Sequence, residues 1–143
     1  GGMTSSTVRR VVRASATYDL LITVWFALPV SAPLAFSLLQ TVHAANNWMG
    51  VLPDSGDVFT LLFANLMGSV VTVWAVFRLI RPDRVTALAD SAARVLFSIG
   101  FAAALAGGAS PLVLLMLVPE LGWAVCQVGV VLAAGRRRLP QSA

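Results

Sequence analysis

Long apolar runs separated by short polar segments dominate the chain. Four of them are long enough to cross the ~30 Å hydrocarbon core of a bilayer as helices, which takes about 20 residues. They cover residues 16–41, 58–80, 88–107 and 112–134. Pro29 lies near the middle of the first run, so we expect a kink there, and we expect Pro33 to end its regular part. The pattern predicts an all-α integral membrane protein, an antiparallel four-transmembrane-helix bundle with a kinked first helix.

The polar segments between the runs are short and rich in turn-forming residues. They cover residues 43–57, 81–86 and 107–111. Pro82 is expected to end the second helix, and Asp83 or Thr86 to cap the third. Connections this short make successive helices antiparallel neighbours.

The chain therefore divides into one membrane domain and two flanking segments. We predict a four-helix domain over residues 14–135, a cytoplasmic segment over 1–13 and a basic cytoplasmic tail over 136–143. The first two glycines precede a methionine and are interpreted as a cloning remnant.

Composition supports the membrane class. The chain is 58% hydrophobic and 11% charged, whereas soluble domains are about 45–50% apolar and about 25% charged. A net charge of +4 would suit nucleic acid, but the arginines lie at the ends of the apolar runs, so no nucleic-acid partner is expected.

The arginines predict the orientation. They precede the first run, flank the second connection and follow the last run, at positions 9, 10, 13, 78, 81, 84, 94, 136, 137 and 138. The first and third connections contain none. The positive-inside rule then predicts that both termini are cytoplasmic, most simply in the inner membrane of a bacterium.

Candidate chemistry is sparse. One cysteine, Cys126, and one histidine, His43, cannot build a zinc or copper site, so we predict no metal and no cofactor. Nucleophile triads, phosphate loops, HExxH and CxxC motifs are absent from the sequence. These absences favour a protein that is not an enzyme.

One layer of polar residues is expected near the cytoplasmic side. It contains Asp19, Arg78, Asp90 and Arg94. Asp90 and Arg94 are spaced i,i+4 and share a helix face, so they can pair. We interpret the four as structural ion pairs; the alternative is a cytoplasmic gate or a site for an anionic lipid headgroup.

A second polar layer is expected in the outer half of the membrane. Its members are Asn65, Ser69 and Thr72 on one helix face and Glu120, Trp123 and Gln127 on another, with His43 at the outer mouth. If the two faces meet, they form a ligand-binding column; the alternative is hydrogen bonding that only joins helices. We expect Glu120 to lie away from the arginines and to be neutral.

Small residues at four-residue spacing permit close packing of helices. They are Ala64 and Gly68; Gly100, Ala104 and Gly108; and Gly122 and Cys126. The lipid bilayer is the expected partner. A homodimer or a larger membrane complex through these faces is possible, and packing within the chain is the alternative.

Three functional hypotheses follow. The first is a non-enzymatic membrane protein that binds or passes a small ligand, lipid or ion through a polar cavity around Glu120. The second is an accessory or anchoring subunit of a larger membrane complex. The third is a membrane enzyme acting on a lipid or isoprenoid, with Glu120 as general acid and His43 or Asp19 as its partner. The run Pro119-Glu120-x-x-Trp123 resembles small membrane cyclases and isomerases, which protonate alkenes with intramembrane carboxylates.

Overall fold

The structure, a computed structural model, describes residues 2–138 and the side chains of residues 6–136. This part of the chain is all-helical, with five α-helices and no strand. The helices are α1 (Gly2–Thr23), α2 (Ala32–Ala45), α3 (Val58–Ile80), α4 (Arg84–Ala106) and α5 (Leu112–Arg138). A 3-10 turn, Val24–Phe26, follows α1.

The first apolar run is interrupted rather than simply kinked. After the 3-10 turn the chain leaves helical geometry around Pro29 and begins α2 at Ala32. A proline has no N–H and its ring clashes with the preceding turn, so the helix stops there. The prediction for Pro33 was wrong: it lies in the first turn of α2 and begins a helix, because the missing N–H costs nothing at that position.

The other helices begin at identifiable caps. Asp57 caps α3, and its Oδ2 accepts hydrogen bonds from the Thr60 backbone N–H and hydroxyl at 3.1 and 2.7 Å. These two bonds lower the pKa of Asp57. Asp83 and Thr86 form a reciprocal capping box that begins α4 at Arg84, four residues before the apolar run predicted it. α5 begins at Leu112, as predicted, and is helical on both sides of Pro119.

Three helices are long and apolar enough to cross a membrane: Val58–Ile80, Arg84–Ala106 and Leu112–Arg136. Their large apolar side chains point outward to an unusual degree; Val73 is 70% exposed and Val125 is 71% exposed. Meanwhile Arg78, Arg94 and Gln127 are almost fully buried. This inverted distribution of polarity is typical of a membrane protein and unlike that of a soluble domain.

The connections gather at two ends of the molecule. At the first, called here the loop end, the segment 46–57 meets the turn 107–111. Val51 N–H donates to Gly108 O and Ser110 N–H donates to Val51 O, both at 2.9 Å. At the second, called the arginine end, Val8 and Val12 of α1 pack with Ala87, Val131 and Ala134. The loop end carries no arginine.

Candidate functional site

A cluster of buried charged side chains joins four helices. We call it the charge cluster: Asp19 from α1, Arg78 from α3, Asp90 and Arg94 from α4, and Glu120 from α5. Both guanidinium groups are almost inaccessible, with side-chain exposures of 0% and 2%. Charges so placed are stable only when their partners and hydrogen bonds are nearly complete.

Asp19 bridges the two arginines. Its Oδ2 lies 2.5 Å from Arg78 Nη2 and 2.6 Å from Arg94 Nη2. One carboxylate oxygen thus ties α1 to both α3 and α4. The position of Asp19 is fixed further by Thr23, one turn later, whose hydroxyl donates to the Asp19 carbonyl oxygen.

Asp90 is the most completely satisfied carboxylate. Its Oδ2 accepts from Arg94 Nε at 2.7 Å and from Gln127 Nε2 at 2.8 Å, and lies 3.2 Å from Arg78 Nη1. Its Oδ1 accepts from the Trp74 indole N–H at 2.9 Å. The i,i+4 spacing thus does bring Asp90 and Arg94 into contact, as part of a larger network.

Glu120 belongs to the same cluster. Its Oε1 lies 3.1 Å from Arg94 Nη1, so the prediction that it lies away from the arginines was wrong. Counted at 1.5 Å per residue from the loop end, Arg94 lies about 18 Å deep and Glu120 about 12 Å deep. The long arginine side chain spans this difference of about 6 Å, which a comparison of backbone depths does not reveal. The assignment of Asp19 and Glu120 to two different polar layers was wrong for the same reason, since both contact Arg94.

Glu120 is nevertheless the least satisfied of the three carboxylates. Arg94 is its only charged partner among the described residues. Its Oε2 is buried and has no hydrogen-bond partner, and the same holds for Arg78 Nε. The Glu120 side chain is 16% exposed, against 11% for Asp19 and 4% for Asp90. It therefore lies at the edge of the cluster.

Neutral polar side chains complete the cluster on the side away from Glu120. Arg78 Nη1 donates to Ser15 Oγ, and Ser15 Oγ donates to Gln127 Oε1, each at 2.9 Å. Gln127 Nε2 also lies 3.3 Å from Ser91 Oγ. Sequence reasoning missed Ser15, Trp74 and Ser91. The usable signal was spacing: Ser15 precedes Asp19, and Trp74 precedes Arg78, by one helical turn on the same face.

Asn65 and Ser69 lie elsewhere, against the interruption after α1. Asn65 Nδ2 donates to Phe26 O at 2.9 Å and Ser69 Oγ donates to Ala27 O at 3.3 Å. Ser31 Oγ donates to Trp25 O at 2.6 Å. Three successive carbonyls are thereby satisfied where the helix stops, a requirement for irregular backbone at membrane depth. We call the segment 24–31, between α1 and α2, the α1 break.

The polar column expected in the outer half is therefore not assembled. The face of Asn65 and Ser69 meets the α1 break, and Thr72 donates to Gly68 O within its own helix. Gln127 lies inside the charge cluster, and Trp123 packs beside Tyr18 with ring centroids 6.0 Å apart. His43 lies at the loop end, where its Nδ1 is 2.6 Å from Ser110 Oγ. The ligand-binding role assigned to these residues stays a prediction.

The small-residue faces divide into two kinds. Ala64 and Gly68 are buried, and a Cβ added at Gly68 would lie 2.5 Å from Ala27 N, so α3 packs directly on the α1 break. The other small residues are exposed, namely Gly100, Ala104, Gly108, Gly122 and Cys126.

Two cavities lie at the arginine end, of about 270 and 300 Å³. Both are lined by Arg9, Pro82 and Asp83. In the described part of the chain no three His, Cys, Asp or Glu side chains are grouped so as to hold a metal ion.

Comparison with protein-family models, with curated proteins and with solved structures gave no match to this chain.

Proposed function

We propose that the protein is a non-enzymatic integral membrane protein that binds and exchanges a proton at Glu120, at the edge of the charge cluster. The observation that carries the proposal is the carboxylate oxygen Oε2 of Glu120, which is buried without a partner in a cluster of three carboxylates and two guanidinium groups. The chain crosses the membrane four times, with α1 and α2 forming one interrupted crossing and both termini in the cytoplasm.

The distribution of charge supports the four crossings. α1 begins at the arginine end, with Val8 in contact with α4 and α5, and α2 brings His43 to Ser110 at the loop end. Together they lead from the arginine end to the loop end, and α3 (Val58–Ile80) leads back. Among the side chains that the structure describes, the exposed arginines lie at one end only, which the positive-inside rule assigns to the cytoplasm.

The balance of charge in the cluster supports the proposal that Glu120 binds a proton. With all five side chains ionised, the cluster carries two positive and three negative charges. An unbalanced charge in a membrane interior is costly, and a carboxyl group removes the imbalance by binding a proton. Asp19 and Asp90 each contact both guanidinium groups. Glu120 contacts only one, so protonation of Glu120 sacrifices fewer ion pairs than protonation of Asp19 or Asp90.

A direct test is infrared spectroscopy of the protein in lipid nanodiscs across a pH titration. At neutral pH the wild type should show the band of one protonated carboxylic acid, and Glu120→Gln should lose it. Asp54→Asn is the matched control, because Asp54 is an exposed carboxylate at the loop end, and it should keep the band. A spectrum unchanged by Glu120→Gln, or a wild type without the band, would refute the proposal.

Topology can be tested separately. On a Cys126→Ser background, single cysteines at Ser6 and Ser55 should react with impermeant maleimide from opposite sides of the membrane. Labelling of both from one side would contradict the interrupted crossing formed by α1 and α2.

A second candidate function, that of an accessory subunit, is favoured by the exposed face of α4. A Cβ added at Gly100 meets nothing within 4 Å, so another helix can approach closely there. Under this hypothesis Gly100→Leu dissociates a co-purifying membrane protein and leaves the infrared band of Glu120 unchanged. No comparable observation favours the enzyme hypothesis, because both acids proposed for it, Asp19 and Glu120, form ion pairs with Arg94.

A further inference from the structure

The arginine end has a surface that the charge cluster does not use. The two cavities there share Arg9, Pro82 and Asp83 and so lie side by side; together they are called here the depression. Arg84 adds to the first, and Arg13 and Arg81 add to the second. Volumes of about 270 and 300 Å³ lie at the lower end of the range of small-molecule sites, which suits a headgroup better than a bulky ligand.

Most of the positive charge around this depression is uncompensated. Four arginines face one acidic residue, Asp83, whose Oδ1 already accepts from Thr86 N–H at 2.9 Å. All four arginines are exposed. Within the described residues none of the four forms an ion pair, although Arg13 Nε donates to Leu79 O at 3.3 Å. These guanidinium groups are therefore free to bind an anion.

The apolar part of the lining indicates what kind of anion. Val8, Val131 and Ala134 line the first cavity. Ile80 lines the second and is 71% exposed. The first three are buried in the packed cluster of the arginine end, so Ile80 is the exposed aliphatic side chain beside the guanidinium groups. That combination matches a molecule that has a phosphate next to hydrocarbon. Arginine binds phosphate oxygens in bidentate geometry, which a single lysine cannot do.

We propose that this depression binds the phosphate headgroup of an anionic phospholipid of the cytoplasmic leaflet, with Arg9 as the central residue because it lines both cavities. The inference rests on the proposed membrane insertion but is independent of the proton at Glu120. Each basic residue near a membrane surface contributes about 1 kcal/mol to anionic lipid binding, which corresponds to about a five-fold change in affinity.

The chain offers a closely matched control. Arg10 is adjacent to Arg9 on α1, is also exposed and lines neither cavity. The experiment measures phosphatidylglycerol retained by the detergent-solubilised full chain, by native mass spectrometry, for wild type, Arg9→Gln, Arg84→Gln and Arg10→Gln. We expect the affinity to fall about five-fold or more for Arg9→Gln and Arg84→Gln, and less than two-fold for Arg10→Gln.

Two further arms identify the source of the phosphate. Phosphatidylcholine, which has no net charge, should bind at least ten-fold more weakly than phosphatidylglycerol to wild type. Soluble glycerol phosphate should not displace the lipid at equal concentration, because it lacks the acyl chains that contact Ile80. Displacement by glycerol phosphate would overturn the lipid assignment in favour of a free anion.

Equal losses for Arg9→Gln and Arg10→Gln would overturn the site itself and leave only diffuse surface charge. Insertion is assessed independently by resistance of the membrane-bound chain to carbonate extraction. An extractable chain refutes the proposed membrane protein, whereas an inserted chain with equal losses refutes this inference alone.

Discussion

The charge cluster and the α1 break each bring polar groups of different parts of the chain together, and they satisfy those groups differently. The cluster is buried, whereas the break is partly exposed. In the cluster, ionised side chains from four helices satisfy one another. At the break, neutral side chains satisfy backbone carbonyls that an interrupted helix leaves free. Charges left unpaired in a low-dielectric interior cost several times more than a lost neutral hydrogen bond. The two sites should therefore respond very differently to the loss of one partner.

Arg94 is the position where the comparison predicts the largest effect. Its guanidinium group contacts Asp19, Asp90 and Glu120. Arg94→Met therefore leaves Glu120 without a charged partner, and it leaves Asp19 and Asp90 to share Arg78. Breaking a buried ion pair by removing one partner costs roughly 3–5 kcal/mol. We expect a loss of this size in the free energy of unfolding, measured by denaturant titration in mixed micelles.

The double variant Arg94→Met/Asp19→Asn is the control for this effect. It removes one charge of each sign and should recover a large part of the lost stability, because a network with balanced charges can be replaced at little cost. If the single variant is as stable as wild type, the cluster does not contribute to stability. If the double variant is less stable than the single one, charge balance is not the reason.

Gly68 provides the next largest effect, at the α1 break. An added Cβ would lie 2.5 Å from Ala27 N and 2.6 Å from Phe26 C, both of which are backbone atoms. Gly68→Ala therefore forces α3 away from the break, and overpacking of this kind costs typically 1–3 kcal/mol. Gly100→Ala is the matched control, because nothing lies within 4 Å of its added Cβ. It should be neutral or stabilising by up to about 1 kcal/mol through helix propensity.

Thermal unfolding of the two glycine variants in the same detergent measures this difference. Equal melting temperatures for Gly68→Ala and Gly100→Ala would show that α3 does not pack closely on the break. The expected ranking of the α1 break below the charge cluster would then lose its support, whereas the prediction for Arg94→Met would be unchanged.

How well the sequence predicted each region depended on the range of the interactions. Local rules located α3 and the start of α5, and they identified Asp83 and Thr86 as candidate caps of α4. The pairing of Asp90 with Arg94 followed from i,i+4 spacing, which is also local. Pro29 marked the interruption but not its extent, because the chain regains helical geometry only at Ala32.

The long-range contacts were not predictable in the same way. Whether Asn65 faces Glu120 or Phe26 depends on the rotation of α3 about its axis, which the hydrophobic pattern determines poorly when every face of the helix is apolar. Whether Arg94 reaches Glu120 depends on side-chain length as well as depth. Residue depth counted along each helix treats both side chains as points, and it therefore separated two groups that the structure places 3.1 Å apart.

Asn65 is the position at the α1 break where we expect a small loss of stability. Its amide donates to Phe26 O, and Asn65→Leu keeps a similar volume while leaving that carbonyl without its donor. Side-chain hydrogen bonds between membrane helices are worth about 0.6 kcal/mol on average and rarely more than about 1.7. We expect a loss in this range, several-fold smaller than that of Arg94→Met.

Ser69→Ala should cost less again, because Ser69 is exposed and its bond to Ala27 O is longer, at 3.3 Å. Denaturant titration under the conditions used for Arg94 ranks all three variants on one scale. A loss for Asn65→Leu equal to that for Arg94→Met would mean that freed backbone carbonyls, rather than charges, set the stability of the interior, and the distinction between the two sites would fail.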